Sequence, residues 1–271
     1  MNIPKILSTT LFDILLILLI PLICVVLLTL INRNTKQIIA NTWGTTSQIY
    51  LGGLGIIIHE TSHLVFALLF SHRVTNFKLL VMPWKFNTNM DRTLGYVNHT
   101  WNKRNLFQNL GNAFIGTAPI WGCTAVLIGL TKLLNPTWFQ VAQTVSLNIR
   151  HYGLSLSILL NGFNSLRIPT TSILSFSLFF IWIVVSINIT IGGFDLSTAD
   201  FKSAVAATVE LYLILSVLLF ILLYFGLSSF ISSILSTTLS WFLIVMFISF
   251  IWSIIGNSLS RICAIFFDNR K

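Results

Sequence analysis

Three residues within five positions carry the chemistry of this 271-residue chain: His59, Glu60 and His63, in the run His59-Glu60-Thr61-Ser62-His63. On a helix, positions four apart lie one turn apart on the same face, so both imidazoles reach a single metal ion. Zinc held this way lowers a water's pKa to about 7 and polarises a carbonyl, while Glu60 beside the pair takes the proton. Random order at this composition produces such a run on the order of once per thousand chains, so accident accounts for it poorly. Isoleucines 56–58 precede the run and Leu64-Val65-Phe66-Ala67-Leu68-Leu69-Phe70 follow it. Ionisable groups inside such an apolar stretch cost a few kcal/mol each and mark functional sites. A polar cluster that only holds helices together is the bland alternative.

A zinc hydrolase needs a third protein ligand, with one position left for water. Acidic candidates are few. Asp13 and Glu210 lie inside apolar segments, Asp91 in a predicted hairpin turn and Asp268 in the tail. Asp195 and Asp200 belong to G-G-F-D-L-S-T-A-D-F-K at 192–202. His63 lies about eight residues, or ~12 Å of helix rise, from the expected cytoplasmic end of its segment, and Asp200 enters from that face. Ser197-x-x-Asp200 also reads as an N-cap pair, a role compatible with ligation. The residues alone leave Asp195 and Asp200 both open. Cys24, Cys123 and Cys263 form no C-x-x-C pair, which argues against a disulfide framework or a thiolate metal site.

The elements that position these groups must be membrane helices. Apolar residues make up 55% of the chain and charged ones 8%, with a mean hydropathy of +0.87. A soluble domain is about one-quarter charged, so these values exclude an ordinary cytosolic domain, a disordered chain and a nucleic-acid-binding module. Six segments are long enough to span: about 6–31, 50–71, 106–134, 171–191, 204–231 and 239–262. The first reads as a retained anchor, its apolar run being too long for a cleaved signal peptide. The last two form a helical hairpin around a Ser/Thr-rich turn at Ser232–Thr238.

The net charge of +9 then reads as orientation. Six spans put Lys5, Arg73, Lys78, Lys85, Arg92, Lys103, Arg104, Lys202, Arg261, Arg270 and Lys271 on one side. Arg33, Lys36, Lys132, Arg150 and Arg167 fall on the other, so both termini are expected in the cytoplasm. Between 73 and 101, two β-prone runs flank an Asn/Asp-rich turn, predicting a small cytoplasmic β-hairpin. Within 135–169, Trp138, Val141, Val145 and Ile149 recur at helical spacing opposite Gln140, Gln143, Thr144 and Asn148, which suits a helix on the external interface. No internal repeat is present. The expected architecture is a single all-α polytopic membrane domain over 1–271.

The run G-I-I-I-H-E-T-S-H at 55–63, with an aspartate from a later span, resembles the site-2 protease family of intramembrane zinc metalloproteases. The chain is similar in particular to the small bacterial membrane metallopeptidase-like proteins related to that family. G-Y-V-N-H at 95–99, G-N-A-F-I-G-T-A-P at 111–119 and L-S-T-A-D-F-K-S-A at 196–204 extend the resemblance over about half the chain. The family usually supplies its third ligand from L-D-G after N-x-x-P. Here Asn188 lacks that proline, F-D-L stands where L-D-G might, and no PDZ-like insertion is present.

The resemblance implies His59, His63 and Asp200 as ligands of Zn2+, Glu60 as general base and a bacterial cytoplasmic membrane as the location. It implies an enzyme that cuts a peptide bond in or near a membrane-embedded segment of a membrane protein or peptide, in the lipid bilayer and without nucleic acid. A hairpin edge at 74–82 or 94–101 would hold that segment extended. The rival expectations are a non-catalytic membrane protein with a structural zinc site, in an immunity, chaperone-like or partner-binding role, and a metal transporter. His99 reads as a surface histidine that could also line the site, and His72 and His151 as interfacial. Asn109 and Asn112 are read as helix glue or oxyanion donors. Gly52, Gly53 and Gly55 are expected to permit close helix packing.

Overall fold

A computed structural model describes residues 3–86, 93–153, 155–169 and 172–267. The predicted hairpin turn with Asp91 and the tail with Asp268 lie outside those residues. Nine helices and two strands follow in chain order: α1 (Ile3–Trp43), α2 (Ser47–Leu69), β1 (Arg73–Lys78), α3 (Pro83–Phe86), β2 (Tyr96–Thr100), α4 (Leu106–Leu134), α5 (Pro136–Tyr152), α6 (Leu156–Asn164), α7 (Ile173–Gly193), α8 (Thr198–Tyr224) and α9 (Ser228–Phe267), counted among the described residues. Five helices are long and apolar enough to cross a membrane, six when the two halves of α8, bent by 42°, count as one span. This is an all-α polytopic fold with one small sheet.

The burial pattern is that of a chain solvated by lipid. Val205, Val209, Leu213 and Val217 form an exposed apolar stripe on α8, while Asn32, Thr35, Ser186, Thr190, Ser249 and Ser253 are buried. Lipid tails are as apolar as leucine, so small and polar side chains turn inward, where helices approach closely; of these six, Thr35 Oγ1 accepts a bond across helices, from Asn257 Nδ2 at 2.9 Å.

Local chemistry sets the breaks. α8 ends in a Schellman motif: Gly226 adopts φ +80, Leu227 N–H donates to Leu222 O at 3.1 Å, and Gly226 N–H donates to Leu223 O at 3.0 Å. The turn between the last two spans is therefore at Phe225–Leu227, not Ser232–Thr238, which lies inside α9. In that stretch Thr237 Oγ1 donates to Ser233 O at 2.7 Å, so a hydroxyl that would favour a loop in water satisfies itself on the helix. α2 ends in the same motif with Ser71 at φ 57 in place of glycine, and His72 N–H reaches Ala67 O at 2.8 Å.

β1 and β2 pair antiparallel from Arg73↔Thr100 to Lys78↔Tyr96, with a bulge between Val74 and Asn76, as the hairpin pattern predicts. α5 presents Gln140, Gln143 and Thr144 outward and buries Ile149, whereas Trp138, Val141, Val145 and Asn148 are all half-buried, so its predicted faces separate only in part.

The first span does not stop near Ile31. α1 continues to Trp43, and Arg33 Nε and Lys36 Nζ bond Asp195 at 3.0 and 3.1 Å. The charge count sends those cations and that aspartate to opposite sides of the membrane, so it cannot separate the two faces.

Packing divides the chain into two compact units. One contains Val25–Val126, Val184–Leu211 and the chain from Ser249, and includes the sheet with His59, Glu60, His63 and Asp200. The other contains the chain up to Cys24, Leu127–Ile183 and Tyr212–Ile248. In it, the Trp138 ring packs on Trp182 and Phe179, and Trp182 Nε1 donates to Thr131 Oγ1 at 3.0 Å.

Candidate metal centre

Glycines let α2 and α7 approach backbone to backbone. A Cβ on Gly55 would lie 2.5 Å from Ile189 O and 2.6 Å from Gly193 N, and one on Gly52 would meet Gly192 Cα at 3.0 Å. Gly53 faces only Leu80 Cδ2, at 3.8 Å. Of the three expected packing glycines, Gly52 and Gly55 make the crossing. Asn188 secures it, accepting from Leu54 N–H at 2.9 Å and donating to Tyr50 O at 3.1 Å.

That crossing brings the end of α7 to the first histidine. His59 Nδ1 lies 2.9 Å from Gly193 O, and His63 Nδ1 lies 2.7 Å from Ile115 O on α4. Both carbonyls are available for a reason legible in the backbone. Gly193 closes α7, where the last carbonyls have no helical partner. Ile115 would be bonded by the N–H of residue 119, but Pro119 has none.

A carbonyl only accepts, so each Nδ1 carries a proton, and when the rings are neutral each Nε2 presents a lone pair. The two Nε2 atoms face one another at 3.1 Å. Asp200 completes the set, with Oδ1 3.3 Å from His63 Nε2 and Oδ2 3.9 Å from His59 Nε2. One ligand atom from each of the three lies within 4.8 Å of the others. Two ligands about 2.0–2.1 Å from a tetrahedral ion stand about 3.3–3.4 Å apart, close to the 3.1 and 3.3 Å separations and shorter than the 3.9 Å one. Three lone pairs aimed at one small volume repel unless a cation sits among them, so the donor set fits a metal ion. Carbonyl partners of this kind fix the tautomer of histidines that ligate metals.

Asp200 is held at the start of α8 by a reciprocal cap: Ser197 N–H donates to its Oδ2 at 2.8 Å, and its own N–H donates to Ser197 Oγ at 3.1 Å. Gly116 lets α8 come close, since a Cβ there would meet Asp200 O at 2.5 Å. The structure thus brings Asp200 to the histidines and commits Asp195 to Arg33 and Lys36.

Glu60 follows His59 on α2 and turns toward the hairpin. A Cβ on Gly95 would lie 2.7 Å from Glu60 Cγ and 3.0 Å from Leu79 O, so the chain entering β2 passes directly over the carboxylate's stem. Beyond it, His99 Nδ1 meets His72 Nδ1 at 2.9 Å, and His72 Nε2 donates to Gln108 O at 2.7 Å. Trp101 stacks on His72 with ring centroids 5.6 Å apart. His72, expected at the interface, is buried. Burial, then the neighbouring His72, pulls the His99 imidazole down to about 4.

Asn109 acts as helix glue: its Nδ2 donates to both carboxylate oxygens of Glu210 at 2.7 Å. Asn112 Nδ2 turns back to Asn109 O at 3.2 Å, which leaves that amide poorly disposed as an oxyanion donor. Neither Asp13 nor Glu210 joins the cluster with His59, His63 and Asp200 among the described residues. Sequence reasoning missed the carbonyls of Ile115 and Gly193 and the contact of Gly95 with Glu60. Pro119, four residues after Ile115, was the signal for the first of these.

Comparison with known proteins returned no matching family model, no matching curated protein and no matching solved structure.

Proposed function

We propose that this chain is an intramembrane zinc metallopeptidase of the site-2 protease type, hydrolysing a peptide bond in or near a membrane-embedded segment. One observation carries the reading: two imidazoles on a helix apolar enough to span a membrane converge with a carboxylate from the start of α8, and the residue after the first histidine is a glutamate. His59, His63 and Asp200 would hold the ion. When bound, zinc lowers the pKa of a water and polarises a carbonyl.

The chain's own residues do the rest. Gly193 O and Ile115 O keep both Nε2 atoms directed inward. Glu60 accepts the proton of the attacking water and returns it to the amine nitrogen as the C–N bond breaks. A substrate helix hides its peptide bonds, so it must be drawn out as a strand. The two-stranded sheet, with Gly95 lying over Glu60, offers an edge beside the site for that purpose. The resemblance to the small bacterial proteins of this type supports a bacterial cytoplasmic membrane as the location.

Metal content by mass spectrometry, combined with cleavage of membrane-embedded peptides, tests the reading. Wild type and Glu60→Gln are expected to retain about one zinc per chain, which His59→Ala and Asp200→Asn lose, and Glu60→Gln is expected to abolish cleavage. A fully active Glu60→Gln protein would refute the mechanism. Normal biological function in Glu60→Gln with loss in His59→Ala would identify a non-catalytic zinc protein instead.

A further inference from the structure

At the corner where α4 turns into α5, hydrogen-bond donors gather without an acceptor. Asn135 is the N-cap of α5, yet its side chain makes no capping bond. It is 3% exposed, and its Nδ2 is buried with no partner. Pro136 lacks an N–H, and the N–H groups of Thr137 and Trp138 keep the donor capacity of an uncapped helix start. Lys132 lies one turn before Asn135, in the last turn of α4. No carboxylate pairs with it among the described residues. Arg167 brings a second cationic residue to the start of α5, its carbonyl accepting from Trp138 Nε1 at 2.9 Å. No acidic residue occurs anywhere between Asp91 and Asp195. A buried amide left unpaired is costly, and a helix N-terminus beside an ammonium favours an anion.

An apolar slot opens beside that corner. Leu127, Ile128 and Thr131 of α4, Phe139 and Ala142 of α5 and Trp241 of α9 line about 330 Å³ of open space. Phe139 joins the slot to the corner. Its ring stacks on Trp241 with centroids 5.8 Å apart, and the Lys132 ammonium lies 5.9 Å from its centroid. Its N–H donates to Asn135 O at 3.2 Å. The one hydroxyl on these walls is already used: Thr131 Oγ1 donates to Leu127 O at 2.7 Å and accepts from Trp182 Nε1 at 3.0 Å. A buried water needs two to four polar partners, so the slot suits hydrocarbon. Unused donors at one end and apolar walls at the other match a molecule with an anionic head and a hydrocarbon tail.

We propose that the α4–α5 corner binds an anionic phospholipid, its phosphate on Lys132, Asn135 and the start of α5 and an acyl chain in the slot. Lys132 supplies the charge, with Arg167 adding to the positive field. Asn135 Nδ2 and the N–H groups of Thr137 and Trp138 supply the directed bonds. All of these residues belong to the unit that does not contain His59, Glu60, His63 and Asp200, so the site is independent of the metallopeptidase reading.

Phosphatidylglycerol and phosphatidylcholine with identical acyl chains, competing for detergent-purified protein in native mass spectrometry, test it. Wild type is expected to retain phosphatidylglycerol about fivefold or more over phosphatidylcholine. Lys132→Gln should abolish the preference; the residue is exposed, so this variant is expected to fold. Asn135→Asp should abolish it too, while thermal stability without lipid holds or rises, because aspartate caps a helix start but repels a phosphate. Ala142→Leu, which fills part of the slot, should reduce retention of both lipids. Equal retention of the two lipids by wild type, or an undiminished preference in Lys132→Gln or in a folded Asn135→Asp, would overturn the site. Displacement of phosphatidylglycerol by inorganic phosphate at equal concentration would refute a lipid as the ligand, and unchanged retention in Ala142→Leu would refute the seating of its chain.

Discussion

Gly55→Ala is expected to weaken metal binding although it alters neither a ligand nor a charge. The added Cβ would lie 2.5 Å from Ile189 O, 2.6 Å from Gly193 N and 2.8 Å from Gly192 Cα, all backbone atoms that no rotamer change can move. Restoring an ordinary 3.4 Å contact displaces α7 by about 0.9 Å. The bond from His59 Nδ1 to Gly193 O, now 2.9 Å, would stretch beyond 3.5 Å unless the ring followed. Overpacking of this kind costs about 1–3 kcal/mol, and loss of an outer-shell partner lowers metal affinity about 10–100-fold. Gly53→Ala is the internal control, two residues away on the same helix with only Leu80 Cδ2 at 3.8 Å. It should be neutral or slightly stabilising through helix propensity. Competition against a zinc chelator gives the affinities, and thermal melting in detergent gives the stabilities. If Gly55→Ala and Gly53→Ala behave alike in both assays, the argument that the crossing positions His59 is wrong.

Pro119→Ala supplies an N–H that competes for Ile115 O. Zinc affinity should fall, by up to about tenfold, while thermal stability rises through better helix propensity; affinity unchanged against the same chelator would refute the role given to the proline. His99 provides a pH signature, because the folded protein holds its imidazole near 4, below the 6.5 of the unfolded chain. The unfolded chain therefore binds more protons across that window, and stability should rise with pH from about 4 to 6.5 and be lost on acidification. His99→Gln should flatten this limb of a denaturation-midpoint curve against pH, and an identical slope in the variant would show that His99 does not titrate there.

The arrangement of His59 and His63 is legible in the sequence because helical periodicity alone puts residues four apart on one face. The hairpin is legible for a similar reason, since its alternation and polar turn are local. Asp200 is different: its residues admitted a cap or a ligand, the choice over Asp195 came from the resemblance, and the structure shows the cap and the approach to the histidines together. The carbonyls that orient the rings have no residue type to announce them. The turn after α8 was misplaced because serine and threonine signal loops in water, whereas in α9 Thr237 bonds its own helix; Gly226 was the better marker. The charge count failed at Arg33 and Lys36 because it treated cations beyond an apolar run as exposed, and these pair with Asp195 instead.

The histidines collect contributions from four stretches of chain: two rings from α2, carbonyls from α4 and α7, and a carboxylate from α8. An ion that binds only this assembled arrangement adds its binding free energy to folding, about 4 kcal/mol when the free ion exceeds its Kd a thousandfold. That is a large share of the 5–15 kcal/mol that holds a typical protein folded. Cellular proteases remove chains in proportion to the time they spend unfolded. Metal supply would thus set the lifetime of the protein as well as its competence, and its abundance in the membrane would report how well the cell is provisioned with the ion.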